Sequence, residues 1–371
     1  MSTTLTRPAQ RTGYAHSLID PALFDFWAGR LNPLWTWARP LARIVERRAA
    51  SEGAVTLVLK PNRHVGPVLP GQHLQVGAQV DGHQVNRSYS LSRLPGADGL
   101  LSITVQAVDQ GRLSTHLCQH ARVGDLLSVG AAFGDMVVPA QPAGQWLLLA
   151  AGSGVTPFLS LVPALLQYPQ AEVQLVVWAR RRDRLIEADA LRALARQHPR
   201  FKLRFVLTRE TALADGESAG RLSTETLPAL LGEGGSAEAL AATRVMACGP
   251  GDFVANARAL LEGRVAGLQS EAFSLPASAM TDAANAQPVQ LTLRRSGQTL
   301  TVPGGQSLLT ALEAQGFKPP SGCRMGICHT CVCTRVEGMT QDLVNGQRDA
   351  EPQAALRLCV SRPCTDLTID L

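Results

Sequence analysis

The sequence predicts a multidomain chain: a small antiparallel β-barrel, then a doubly wound α/β domain, then a compact cysteine-rich domain. Three observations carry this. The length of 371 residues exceeds what one hydrophobic core usually fills. Short β-like runs between Gly/Pro turns give way, after residue 140, to continuous apolar runs that alternate with helix-like segments. Six of the eight cysteines fall in the last 50 residues.

In chain order, residues 1–46 read as an appended segment in which Trp27, Trp35 and Trp37 stand among Phe24, Phe26, Leu31 and Leu34. Pro33 and Pro40 interrupt any long helix there. The barrel is expected over 47–140, where runs such as Ala54-Val-Thr-Leu-Val-Leu59 and Leu101-Ser-Ile-Thr-Val105 alternate with turns. The α/β domain is expected over 141–273. Its run Trp146-Leu-Leu-Leu-Ala-Ala151 has the uninterrupted apolarity of a strand buried on both faces, and Val173–Trp178, Lys202–Leu207 and Arg244–Cys248 follow it. Residues 274–288 are small, polar and Pro-bounded, the composition of a linker, and 289–371 form the third domain.

Composition narrows the function classes. With 45% apolar and 18% charged residues and no apolar run long enough for a bilayer, the chain reads as globular. The start, Met1-Ser-Thr-Thr4, lacks the features of a secretory signal, so the expected location is the cytoplasm. The net charge of +5 is spread thinly, which argues against a nucleic-acid partner.

In a cytosolic protein, clustered cysteines point to metal or redox chemistry rather than disulfides. Cys323, Cys328 and Cys331 have the spacing C-x4-C-x2-C, and Cys359 is a distant fourth: the plant-type [2Fe-2S] pattern. Soft thiolates suit iron, and Gly322 and Gly326 let backbone amides approach the cluster sulfurs. A structural zinc is the competing reading, but zinc ligands usually come as two close pairs. Cys333 and Cys364 fall outside the spacing and receive no role. With Gly305-Gln-Ser-Leu-Leu-Thr-Ala-Leu312 as the entry to a helix, residues 289–371 resemble a plant-type ferredoxin domain, which implies an α+β β-grasp fold.

In the barrel, Arg87-Ser88-Tyr89-Ser90 fits the R-x-Y-S signature of the ferredoxin reductase superfamily. An arginine can fork onto a pyrophosphate, a tyrosine can cover an isoalloxazine face, and a serine hydroxyl can bond near the flavin's reactive nitrogen. Gly111-Arg-Leu-Ser114 resembles that family's helix start, where Ser114 and free amides receive the flavin phosphate. The resemblance implies FAD, with FMN as the alternative.

The strand ending at Ala151 runs into Gly152-Ser-Gly154-Val-Thr156-Pro157, which resembles the superfamily's nicotinamide-coenzyme loop. Glycines at such a turn let amides meet a pyrophosphate without a Cβ in the way. Cys248-Gly249-Pro250 resembles the turn that sets a cysteine beside the nicotinamide, and Glu271-Ala-Phe273 resembles the acidic and aromatic end of the same domain. Arg180 and Arg181, after the second strand, are cations where a 2′-phosphate would need them, which favours NADPH over NADH.

Residues 47–371 together resemble oxygenase-type iron–sulfur flavoprotein reductases with a C-terminal ferredoxin domain. The resemblance implies an antiparallel barrel for flavin and a doubly wound domain for nicotinamide. A hydride would arrive from NAD(P)H and leave as single electrons to a protein acceptor, with Ser90, Cys248 and Glu271 near the hydride path. The tryptophan-rich leader favours a membrane di-iron fatty-acid desaturase or hydroxylase as that acceptor, with peripheral membrane contact. The alternative is an aromatic ring-hydroxylating dioxygenase or a cytochrome monooxygenase. A redox sensor or a metal-stapled binding module ranks lower.

Overall fold

The computed structural model describes residues 20–276 and 286–371. The first nineteen residues of the leader and the 277–285 part of the expected linker lie outside the described residues.

The leader forms helix α1 (Pro21–Leu31), started by Pro21 at its first position and by the Asp20 carboxylate, which accepts the Ala22 N–H at 2.8 Å. Phe24, Asp25 and Ala28 face the protein: Phe24 meets Trp37 edge-on at 5.4 Å, and Asp25 takes the Arg39 guanidinium at 2.8 Å. Leu23, Phe26, Trp27 and Leu31 face solvent.

The barrel comprises β1 (Leu41–Ser51), β2 (Ala54–Pro61), β3 (His73–Val80), β4 (His83–Arg93), β5 (Leu101–Gln106), helix α2 (Arg112–Gln119) and β6 (Leu126–Phe133). It closes in the order β1-β2-β5-β4-β3-β6, with β6 pairing back onto β1. It therefore begins at Leu41 rather than at residue 47. Ala42 and Ile44 alternate inward while the intervening and following arginines face out, and that arginine-rich face hid the strand in the sequence.

The second domain comprises β7 (Gly144–Ala151), α3 (Phe158–Leu166), β8 (Ala171–Ala179), α4 (Ala188–Gln197), β9 (Phe201–Leu207), β10 (Glu217–Ala219), α5 (Thr226–Leu231), α6 (Ala237–Ala241), β11 (Arg244–Gly249), α7 (Gly251–Leu261) and β12 (Gly267–Ala272). Its six strands are parallel in the order β10-β9-β8-β7-β11-β12. The order reverses between β7 and β11, so the crevice at their carboxyl ends is where such a sheet takes ligands. Two apolar cores, one on each face, account for the uninterrupted hydrophobic strands.

The third domain has β13 (Val289–Leu293), β14 (Gln298–Val302), α8 (Leu308–Ala314), β15 (Val332–Glu337), β16 (Thr340–Asp342), β17 (Arg348–Asp349), β18 (Gln353–Arg357), β19 (Ser361–Pro363) and β20 (Leu367–Asp370). One sheet runs β14-β13-β20-β15-β18 and packs on α8, whose start is capped by Ser307 accepting the Thr310 N–H at 3.2 Å. Among the described residues no helix is long and apolar enough to cross a membrane.

Candidate active site

Register builds the first wall of the site. In β3 and β4, His73 pairs with Ser90 and Gln75 with Ser88, while Phe133 of β6 flanks His73 on the other side. Directly opposed residues share a face of the sheet, so Ser88, Ser90, His73, Gln75 and Phe133 form one row. The hydroxyls of Ser88 and Ser90 are buried without a hydrogen-bond partner. Unsatisfied buried hydroxyls are costly, so such a row fits a ligand edge rich in heteroatoms, as a flavin is. Arg87 and Tyr89 lie on the opposite alternation. Arg87 is exposed and donates to the Asn86 carbonyl at 2.7 Å, and burial pushes the Tyr89 phenol well above its usual range.

At the start of α2, Gly111 is the N-cap, and the Ser114 hydroxyl donates to the Gly111 carbonyl and accepts the Val108 N–H, each at 3.3 Å. The turn therefore already uses the serine, and the anion-binding groups left at this end are the free amides of the helix's first turn.

The second wall is the carboxyl end of the parallel sheet. The coenzyme loop does not pass straight into a helix: Gly152–Val155 form a 3-10 turn, closed by the Thr156 hydroxyl donating to the Ser153 carbonyl at 2.9 Å, and Pro157 then caps α3. Gly154 packs against the neighbouring strand so closely that a Cβ there would lie 2.0 Å from the Cys248 carbonyl oxygen. The loop and the Cys248-Gly249-Pro250 turn are thus one surface with room only for glycine, and a pyrophosphate can approach its backbone. Pro250 caps α7, and Phe273 returns to the same point, its N–H bonding the Gly249 carbonyl at 2.9 Å. Cys248 is fully buried and pairs in register with Glu271 of β12. Burial, with the Glu271 carboxyl nearby, holds the Cys248 thiol well above its usual range.

The basic segment after β8 divides its charges. Arg181 pairs with Asp183, and Arg182 is held by Glu217 at 2.7 Å, which keeps the Glu217 carboxyl down at about 2. Arg180 is exposed and makes no ion pair among the described residues. Arg209, just past the end of β9, bonds the Arg180 carbonyl through its own backbone N–H at 2.8 Å, so two exposed arginines stand on adjacent backbones. Nothing in the linear sequence singles out Arg209, because the two come together only through strand adjacency.

The third wall is the cysteine loop. The four sulfurs fall as two pairs, Cys323 with Cys328 and Cys331 with Cys359. In each pair one thiol donates to the other, so Cys328 and Cys331 are held low, to about 4 and about 7, while Cys323 and Cys359 are pushed up. The Met325, Ile327 and Cys328 amides all point at the Cys323 sulfur at 3.3 Å, and the Cys328 sulfur accepts from the Cys323 N–H and the Thr330 hydroxyl at 3.2 Å. A Cβ on Gly322 would stand 2.7 Å from the Cys328 sulfur. Two thiolates for each of two irons, wrapped in amide donors, is the donor set a [2Fe-2S] cluster requires. Among the described residues no three His, Cys, Asp or Glu converge as a single metal ion would require. Burial pushes the Cys333 thiol up to about 12, as befits a core residue.

The three walls meet. The Gln75 amide lies 3.3 Å from where a Gly322 Cβ would be, which brings the cysteine loop against the row on β3. A cleft of about 300 Å³ between the domains is lined by Glu271, Asp135, Arg258, Met325, Ile327 and His329, among others.

Comparison with known proteins follows this division. Residues 42–137 match the family model of the oxidoreductase FAD-binding domain, 148–259 that of the oxidoreductase NAD-binding domain, and 291–364 that of the 2Fe-2S iron-sulfur cluster binding domain. The chain is 33% identical to an NADPH oxidoreductase of Mycobacterium tuberculosis, across 96% of this chain and 91% of that one. It is 34% identical to the ferredoxin reductase component of 3-ketosteroid-9-alpha-monooxygenase from the same species, across 80% of this chain and 83% of that one. The solved structure of phthalate dioxygenase reductase shares the fold, with a TM-score of 0.54 at 19% identity over 89% of this chain and 97% of that one.

Proposed function

The chain belongs to the iron–sulfur flavoprotein reductases of the ferredoxin reductase superfamily, and from that premise we propose that it passes electrons from NADPH to an oxygenase component. FAD supplies the conversion of a hydride pair into single electrons when bound, and the cluster supplies one-electron delivery. One observation carries the reading: the row of unsatisfied polar groups on β3 and β4 lies between the Cys248–Glu271 end of the nucleotide sheet and the cysteine loop. Ser88 and Ser90 would bond the flavin's edge, Arg87 and the first amides of α2 its phosphates, and Tyr89 a ring face. Gly152, Gly154, Thr156 and Pro157 would seat the coenzyme pyrophosphate, while Cys248, Gly249, Pro250, Glu271 and Phe273 would border the nicotinamide. Cys323, Cys328, Cys331 and Cys359 would hold the cluster.

NADPH rather than NADH is supported by Arg180 and Arg209, two exposed arginines just past the ends of β8 and β9, where a 2′-phosphate could be offered bidentate donors. The NADPH oxidoreductase among the relatives supports the same coenzyme.

The reductase of a steroid monooxygenase among the relatives supports an oxygenase acceptor above the membrane desaturase expected from the leader. A membrane-bound acceptor stays as a second reading because of one feature. The apolar stripe of α1, Leu23-Phe26-Trp27-Leu31 at helical spacing, points to solvent with Arg30 among it.

The deciding experiment is an anaerobic titration with NADPH and separately NADH, following flavin bleaching in the visible and the reduced cluster by EPR. Sequential reduction with a rhombic [2Fe-2S] signal is expected; a colourless protein containing zinc would overturn the reading. Sedimentation with anionic vesicles, compared between the native chain and Trp27→Ser, tests the second reading.

A further inference from the structure

The basic segment after β8 ends on a residue held against its own backbone preference. Beyond Arg180 the chain makes a 3-10 turn (Arg182–Arg184), buries Leu185 and Ile186, and reaches Glu187 at the start of α4. Glu187 is left-handed at φ 53°, a conformation that suits glycine and strains a glutamate. Its side chain accounts for the choice. The carboxylate is buried, pairs with the Arg48 guanidinium at 2.6 Å and accepts the Thr56 hydroxyl at 2.6 Å. The Glu187 N–H bonds the Ala50 carbonyl at 2.9 Å, the Glu52 N–H bonds the Asp183 carbonyl at 2.9 Å, and the Arg184 guanidinium donates to the Glu52 carbonyl at 3.2 Å. Residues 183–187 are therefore stitched to the β1–β2 turn of the barrel.

The contact continues across the barrel. Arg48, Thr56 and Thr104 are direct cross-strand partners on β1, β2 and β5, and they alternate outward while Leu57 and Ile103 fill the barrel core. The Thr56 and Thr104 hydroxyls are 2.8 Å apart, and the Thr104 and Ser92 hydroxyls 3.0 Å apart. Ser92 lies two residues beyond Ser90 on β4, the strand that carries Arg87-Ser88-Tyr89-Ser90. One unbroken row of polar groups thus leads from the end of the coenzyme segment, across β2 and β5, to the flavin strand.

Resting on the coenzyme and flavin sites assigned above, we propose that Glu187 is a positioning residue for hydride transfer. It acts through this row, fixing the segment that holds the adenosine end of the coenzyme relative to the strand that holds the flavin. A coenzyme held at its 2′-phosphate by Arg180 and Arg209 carries any play in that segment along its length to the reacting nicotinamide. Hydride transfer falls steeply with such misplacement, whereas the affinity of the phosphate grip does not. Glycine would relieve the backbone at this position, so the glutamate is retained for what its carboxylate holds in place.

The test uses the full holoprotein and two hydride donors, NADPH and reduced nicotinamide mononucleotide, which lacks the adenosine end. Glu187→Gly removes the carboxylate at a backbone position that favours glycine, so the variant should fold. Thr56→Val interrupts the row while keeping the shape of the side chain. In stopped flow at saturating NADPH, both variants should bleach the flavin about tenfold to a hundredfold more slowly than the native chain. Bleaching by reduced nicotinamide mononucleotide should keep its native rate, and 2′,5′-ADP should bind with native affinity. A purely structural role predicts equal losses with the two donors; that result, or no loss with either, would overturn the proposal. A native chain that neither donor bleaches would instead sink the functional reading, and the assignment of Glu187 with it.

Discussion

Replacing Gly154 by alanine isolates what the coenzyme loop requires. The new methyl would lie 2.0 Å from the Cys248 carbonyl oxygen, 2.4 Å from its carbon and 2.7 Å from Gly249 Cα. An ordinary carbon–oxygen approach is about 3.3 Å, so the loop and strand would have to separate by roughly 1.3 Å. None of the three atoms belongs to a side chain that could rotate away, and β11 is held in register by β7 and β12 on its two sides. Overpacking of this kind costs about 1–3 kcal/mol. At roughly 2–4 °C per kcal/mol for a domain of this size, melting should fall by about 2–12 °C. A displacement of about 1 Å at the reacting centre costs about a hundredfold in rate, so stopped-flow bleaching of the flavin by NADPH should slow by about that factor. Gly152→Ala is the control. Gly152 has φ +55°, but its Cβ would meet only the Gln106 amide at 3.8 Å, leaving about 1 kcal/mol of left-handed strain and a correspondingly smaller loss. If Gly154→Ala melts and bleaches no worse than Gly152→Ala, the close-approach argument is wrong.

Three further outcomes are expected. Cys328→Ser should abolish reduction of one-electron protein acceptors while NADPH still bleaches the flavin; loss of both would refute the separation of the two centres. Arg180→Ala should lower kcat/KM for NADPH by about tenfold to a hundredfold, the value of a charge-assisted bond of about 1.5–3 kcal/mol, with NADH little affected; equal losses with both coenzymes would contradict the 2′-phosphate assignment. The Arg182 bond depresses Glu217 from 4.5 to about 2. Its contribution to stability is therefore present above about pH 4.5 and is lost as pH falls toward 2, so Glu217→Gln should flatten the acid limb of the melting profile, and an unchanged limb would show that the bond has no weight in folding.

Much of this was legible because its chemistry is local. C-x4-C-x2-C, R-x-Y-S and the glycine loop are short because each is one turn or strand meeting one ligand. The uninterrupted run Trp146–Ala151 announces a strand covered on both faces. What stayed hidden depends on register and on adjacency between domains. His73 is an isolated histidine in an apolar strand, and only the β3–β4 and β3–β6 ladders place it in the row with Ser90 and Phe133. Arg209 reaches Arg180 only because β9 lies beside β8. The barrel's first strand was obscured by the arginines on its solvent face. The outward apolar stripe of α1 could not be told in sequence from one that packs inward, since helical periodicity fixes a face but not the direction it points.

The seam between the barrel and the nucleotide domain has a consequence for recombination. Glu187, itself left-handed at φ 53°, takes the Thr56 hydroxyl at 2.6 Å and the Arg48 guanidinium, and its N–H bonds the Ala50 carbonyl at 2.9 Å. The Glu52 N–H bonds the Asp183 carbonyl at 2.9 Å, and the Gly71 N–H bonds the Ser160 hydroxyl at 3.1 Å. A chimera joined near residue 141 would have to match all of these donors and acceptors in a foreign partner, and each mismatch would leave a polar group dry. For exchange between relatives, the barrel and the nucleotide domain therefore behave as one heritable cassette, and productive crossovers should accumulate after residue 276 instead of between the first two domains.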